Sequence, residues 1–156
     1  MRTIFAALAL TTALTLPSVA IARPITLTTA LKNYGGNGAY LAIYVTDPNG
    51  GYAGSLWMAG TKSRYHEHLS DWYRMAGGKA KQIDGITGAS VGAGRRLKIT
   101  LDLADALFDA GYVLHVDAAV EDMRDSPNEI AVPLTTQGAG QLVPGRRYIA
   151  NFNYGL

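Results

Sequence analysis

The chain of 156 residues carries 14 Lys and Arg against 12 Asp and Glu, a formal net charge of +2. A phosphate-binding face normally needs many clustered basic residues, so this balance argues against nucleic acid as a partner. The absence of cysteine excludes thiol redox chemistry, cysteine-ligated iron and cysteine nucleophiles, so any redox role requires a borrowed cofactor.

The first element in chain order has the layout of a secretory signal peptide. Arg2 precedes the apolar run Ile4 to Leu16, and the small-residue stretch Ala20-Ile21-Ala22 follows Pro17. The run is shorter than the roughly 20 apolar residues that span a bilayer as a helix, and no second run of that length follows. Cleavage is expected after Ala22, with Ala20 as the second choice, leaving 134 of the 156 residues and a net charge of +1. The expected organisation is therefore a signal peptide over 1–22 and one periplasmic domain over 23–156, soluble and not membrane-spanning, large enough to bury roughly two thirds of its unfolded surface.

Beyond Arg23, short alternating apolar blocks separated by Gly, Pro, Asn and Asp predict strands at Ile25–Leu31, Tyr40–Thr46, Gly51–Met58, Leu97–Leu103, Tyr112–Val120, Glu129–Thr135 and Tyr148–Tyr154. Asp47-Pro48-Asn49-Gly50 reads as the turn of a hairpin, because Pro presets the first turn dihedral and Asn-Gly supplies positive φ. His66 to Ala76 reads as one short helix with Leu69, Trp72 and Tyr73 on its apolar stripe, ended by Gly77-Gly78. Asp102 to Asp109 is read as a strand end plus a connection. The fold class is mainly β, an immunoglobulin-like antiparallel β-sandwich with one short inserted helix, and Gly111-Tyr112 is expected to place a phenol against a corner backbone.

The stretch best suited to chemistry is Asp84-Gly85-Ile86-Thr87-Gly88-Ala89-Ser90, followed by Val91 to Gly94 and Arg95-Arg96. It presents the hydroxyls of Thr87 and Ser90 on a backbone nearly free of bulk, where a phosphate can approach hydroxyl and N–H groups together. Asp84 is expected to orient a hydroxyl or to bond the backbone two residues on, and Arg95 and Arg96 to neutralise a phosphodiester if they point inward. The competing reading is a Gly-rich turn leading into the strand at Leu97.

This stretch resembles the flavinylation motif Asp-x-x-Ser/Thr-Gly-Ala/Ser-Ser/Thr, to which a periplasmic flavin transferase attaches FMN through a phosphoester. Asp84, Thr87, Gly88 and Ala89 match it, Gly85 suits it, and Ser90 falls at the acceptor position, where Thr is usual. The wider chain is similar to a predicted periplasmic family of unknown function often encoded near PepSY-type membrane proteins and flavin transferases. The likeness runs through Tyr40 to Asp47, Leu56-Trp57 to Tyr73, the Asp84 motif, and Gly111 to Ala118. It implies covalent FMN on Ser90, with cofactor contacts from Asp84, Gly85, Thr87, Gly88 and Ala89. It also implies an electron carrier, rather than a stand-alone enzyme, that relays electrons from a PepSY-type inner-membrane donor to periplasmic acceptors or ferric complexes. A non-redox binding or interaction module, with Ser90 in a structural turn, is the alternative from another class.

His66 and His68, near Glu67 and Asp71, invite a metal, but residues two apart on a helix lie some 200° apart, so they are expected to be ordinary exposed residues. His115, alternating with Leu114 and Val116, reads as a surface or bonded core residue. Trp57, Tyr65, Trp72 and Tyr73 are candidates to flank a flavin ring, although at least two are expected in the core or its helix lid. Lys62 and Arg64 are candidates to stabilise a reduced flavin anion, against solvated loop charges. Glu121 to Asp125 reads as an exposed turn. No nucleophile elbow, phosphate-binding loop with Lys or His-Glu-x-x-His motif occurs.

Overall fold

The computed structural model describes residues 20–78 and 83–156, so the expected signal peptide lies almost wholly outside the described residues. Eight strands form two sheets: β1 (Ala22–Leu31), β2 (Ala39–Thr46), β3 (Tyr52–Ala59), β4 (Thr87–Gly88), β5 (Arg96–Ala104), β6 (Val113–Val120), β7 (Ser126–Pro133) and β8 (Ile149–Gly155). The smaller sheet has the order β5-β1-β8 and the larger β4-β3-β2-β6-β7. All pairings are antiparallel except β3 with β4.

Period-2 alternation sends one set of side chains from each sheet into the space between them. Ile25 and Leu27 from β1, Leu41 and Ile43 from β2, Leu114 and Val116 from β6, and Phe152 from β8 are all at most 1 % exposed there. The result is the expected β-sandwich. β2 is buried along its whole length because its other face, Tyr40, Ala42 and Tyr44, is covered by Leu69, Trp72 and Ala76 in a second apolar cluster. Those residues come from α1 (Ser70–Ala76) and the turn before it.

The expected hairpin turn is present. Asp47 Oδ1 accepts the N–H groups of Asn49 (2.8 Å) and Gly51 (2.9 Å), and Gly50 takes φ +82°.

The predicted single helix is divided. Ser63–His68 is a 3₁₀ segment, and Leu69 (φ −84°, ψ 66°) breaks the helical path to turn its fully buried side chain inward before α1 begins. Tyr73 leaves the expected stripe and is 39 % exposed, whereas Gly77 ends α1 in the left-handed conformation as expected. β7 begins three residues earlier than predicted, because a register shift near Asp117 lets Ser126 pair with Ala118 while Asn128 takes φ +50°. β5 runs to Ala104 and a single 3₁₀ turn, Asp105–Leu107, follows. The phenol bonded to a corner backbone is that of Tyr154, not Tyr112. Its hydroxyl meets the carbonyls of Pro133 (3.0 Å) and Thr135 (2.8 Å) and the Thr135 N–H (3.0 Å).

Candidate functional site: a glycine-rich loop over a surface groove

The loop is built from its turn outward. Ile83 to Ile86 closes with Ile86 N–H donating to the Ile83 carbonyl at 3.2 Å, and Gly85 sits at φ +77°, a conformation an L side chain resists. Thr87 Oγ1 donates to that same carbonyl at 2.8 Å. Thr87 and Gly88 then pair parallel with Met58 and Ala59 at the edge of β3, and Gly60 N–H reaches the Gly88 carbonyl at 2.8 Å. Three residues after Gly88, Val91 is clamped to Ala39 by reciprocal backbone bonds of 2.7 and 2.9 Å. Ala89 and Ser90 are the exposed span between these two anchors.

Two close approaches explain the small residues here. A Cβ on Gly88 would lie 2.7 Å from Trp57 Cζ2, so glycine lets the loop settle on the indole. A Cβ on Gly38 would lie 2.7 Å from Ser90 Oγ, so a bare backbone faces the hydroxyl. Trp57 Nε1 is buried there without a hydrogen-bond partner.

Ser90 opens onto a groove of about 370 Å³. Ala89 and Gly88 line it from the loop, Asn37 from just before β2 and Tyr40 from its start, Thr61 and Lys62 from the segment after β3, and Glu121 from just after β6. A second groove of about 290 Å³ shares Tyr40 and Glu121 and is also lined by Tyr65, His68 and Met123. Tyr65 hydroxyl donates to Glu121 Oε1. That bond, with desolvation adding to it, raises the phenol above its ordinary pKa, opposed by Arg64. The Arg64 guanidinium lies 4.8 Å from the Tyr65 ring centroid, and its Nη2 donates to the Tyr65 hydroxyl at 3.1 Å.

The expected site residues are thus separated into two groups. Gly88, Ala89 and Ser90 line the groove, whereas Asp84, Gly85 and Thr87 shape the turn behind it. Asp84 is exposed, and the N–H two residues on is taken by the Ile83 carbonyl instead of by its carboxylate. Arg95 and Arg96 do not line the groove: Arg95 N–H closes a turn onto Gly92 and Arg96 opens β5. Among the described residues the cation that lines the groove is Lys62. Asn37, Gly38, Tyr40, Thr61 and Glu121 were invisible as site residues because they converge from three separate segments and no local pattern marks them.

The other side chains singled out have structural partners. Trp72 is 1 % exposed and donates Nε1 to Ser55 Oγ at 2.8 Å. His66, expected to be exposed, is 5 % exposed and lies 2.9 Å from the Gly60 carbonyl, because the 3₁₀ turn rotates it toward Tyr40 and Trp72. His68 Nδ1 is 3.1 Å from Asp125 Oδ2. His115 bridges Thr46 Oγ1 and Asn128 Oδ1, both at 2.9 Å, and stacks on Tyr44. Among the described residues no three His, Asp or Glu side chains gather as a metal set, and no helix is long and apolar enough to cross a membrane.

Fold and site together define a small two-sheet β-sandwich that carries a tethered Gly/Ala loop and one outward hydroxyl over a surface groove. The chain belongs to the family described as Predicted periplasmic protein (DUF2271), whose model matches residues 22–151. No match of comparable significance is found to a curated protein or to a solved structure.

Proposed function

We propose that this protein is a periplasmic electron carrier that takes FMN covalently on Ser90, after export and removal of residues 1–22. The observation that carries the reading is the division of labour between the two motif hydroxyls. Thr87 Oγ1 is spent on the Ile83 carbonyl, whereas Ser90 is exposed on a span fixed at both ends beside a groove. In the attachment step Ser90 Oγ would attack the FMN phosphorus of a flavin dinucleotide held by a flavin transferase. The phosphoester P–O bond forms as the pyrophosphate P–O bond breaks, the nucleoside monophosphate leaves, and the hydroxyl proton passes to the transferase or to solvent.

The residues present suit a phosphoester-linked group. Lys62 supplies a positive charge in the groove onto which Ser90 opens, and Gly38 presents a bare backbone to the Ser90 hydroxyl. Tyr40 and Tyr65 provide aromatic surface in the adjoining groove. Bound there, FMN would supply the redox chemistry, while the chain supplies attachment and shielding. A covalent link also prevents loss of the cofactor by dilution outside the cytoplasm. The donor suited to this role is a PepSY-type inner-membrane protein, and the acceptors are periplasmic proteins or ferric complexes.

The test is coexpression with a periplasmic flavin transferase. Wild-type protein is expected to begin at Arg23, to gain the mass of one FMN less one water, and to fluoresce in a denaturing gel. Ser90→Ala is expected to lose both signals and Ser90→Thr to keep them. Labelling that persists in Ser90→Ala, or its absence from wild type beside an active transferase, would overturn the reading in favour of a non-redox binding module.

A further inference from the structure

A third groove, about 610 Å³, lies between two chain segments: Arg124, Asp125, Ser126 and Pro127 on one side, Arg146 and Arg147 on the other. Its walls are locked together by bonds that leave two of the three guanidinium groups uncommitted to the frame. Arg146 Nη2 donates to the Pro127 carbonyl, and Tyr148 hydroxyl donates to the Arg124 carbonyl. Behind them buried Glu129 accepts Ser126 Oγ on one wall and Arg147 N–H (2.7 Å) on the other. Asp125, the one acid among the described residues that line the groove, is already engaged by His68. Among the described residues none of Arg124, Arg146 and Arg147 forms an ion pair with a carboxylate, whereas Arg23 and Arg74 each do. Lys32 adds to the same end of the molecule, its Nζ donating to the Arg146 carbonyl at 2.9 Å.

We propose that this groove is a docking site for an acidic, carboxylate-rich segment of a partner protein. Exposed arginines held on a rigid frame without internal counter-charges are complementary to carboxylates, which the guanidinium fork grips with two parallel bonds. Because the cations stand on opposite walls, an extended chain lying between them is held from both sides. A flat membrane headgroup plane would meet only the rim. Glu121, which lines the Ser90 groove, is three residues from Arg124 in the chain, so a docked partner is delivered beside that groove. The proposal does not depend on flavin at Ser90.

The experiment uses mature protein and two fluorescein-labelled peptides, octaglutamate and octalysine, with binding read by fluorescence anisotropy at low ionic strength. Octaglutamate is expected to bind and octalysine not, with affinity falling as salt is raised. Arg124→Ala/Arg147→Ala is expected to weaken binding about tenfold, the order of one or two lost charge-assisted contacts. It should fold normally, since the framing bonds of both residues use backbone atoms. Arg23→Ala/Arg74→Ala removes the same charge elsewhere and is expected to change affinity by less than about twofold. Circular dichroism checks both variants. Equal weakening by the two double variants, failure of wild type to bind octaglutamate, or binding only to phosphatidylglycerol vesicles would each overturn the proposal.

Discussion

Asp117 and Glu129 are carboxylates at most 2 % exposed, and among the described residues neither is paired with a cation; backbone N–H groups satisfy them instead. Asp117 Oδ2 accepts Trp72 N–H (2.8 Å), acting from β6 as the cap that the start of α1 lacks in its own sequence. Its Oδ1 accepts Asn128 N–H (2.7 Å) and Tyr44 hydroxyl (3.3 Å). Glu129 Oε1 accepts the N–H groups of Arg147, Tyr148 and Ile149, while Oε2 meets the Ser126 hydroxyl. Isosteric amides therefore behave differently at the two positions. In Glu129→Gln the amide oxygen keeps all three N–H bonds and the new NH₂ donates to Ser126. In Asp117→Asn both side-chain atoms face N–H donors, so no orientation avoids a donor against a donor. Asp117→Asn is expected to cost about 1–3 kcal/mol, and Glu129→Gln clearly less, in urea unfolding at neutral pH. Burial raises the Asp117 pKa above its ordinary value of 3.8, opposed by the Asn128 and Trp72 N–H bonds. A raised carboxylate pKa means the folded state holds a proton that the unfolded chain has released, so this group's contribution falls as pH rises from about 3.8 through the folded value. The stability gap between wild type and Asp117→Asn should narrow over that window. None of this was legible beforehand: Asp117 stands in an apolar strand, and its partners lie 11 to 73 residues away.

At the scale of elements, the long strands were readable because alternation records the single buried face of strands such as β1 and β5, while a short continuous apolar run marks β2, buried on both faces. β4 was not, since two residues carry no period; it exists because Met58 and Gly60 donate N–H groups to the Ile86 and Gly88 carbonyls. The same reasoning separates Tyr154 from Tyr112. A Gly-x-Tyr-like pattern suggested the corner at the start of β6, but the corner needs a hydroxyl within reach of a chain reversal, which the path after β7 provides at Tyr154. The loop of the site was found by its residue types, while its groove depended on tertiary convergence. Gly88→Ala tests the packing of β4: its Cβ would stand 2.7 Å from the Trp57 ring, and the backbone bond to Gly60 prevents easy retreat. The variant is expected to lose about 1–3 kcal/mol, seen as a lower melting temperature with a red-shifted tryptophan emission as the indole is pushed outward. Gly54→Ala, which meets nothing within 4 Å and lies on the neighbouring strand β3, is the matched control.

Across the whole molecule, β1 occupies the centre of the smaller sheet, between β5 and β8, and both of its neighbours are far away in the chain. Ala22 pairs with Ala104, and Leu31 pairs with Ile149. Truncation before Ile149 would strip one side of β1 and remove Ile149, Phe152 and Tyr154, each at most 1 % exposed, from the core. Such a chain is expected to show no cooperative unfolding transition by circular dichroism. There is also a consequence in time. On a ribosome the residues of β1 are among the earliest of the described chain to emerge, yet they wait for nearly the entire remaining sequence before their second neighbour is made. Long-range pairing of this kind folds slowly, so β1 stays without its β8 neighbour for most of the chain's synthesis. Were such a chain to cross a membrane as an extended thread, as the proposed export requires, that delay would keep it fit for passage, and β8, the last strand to arrive, would be the one that closes the smaller sheet.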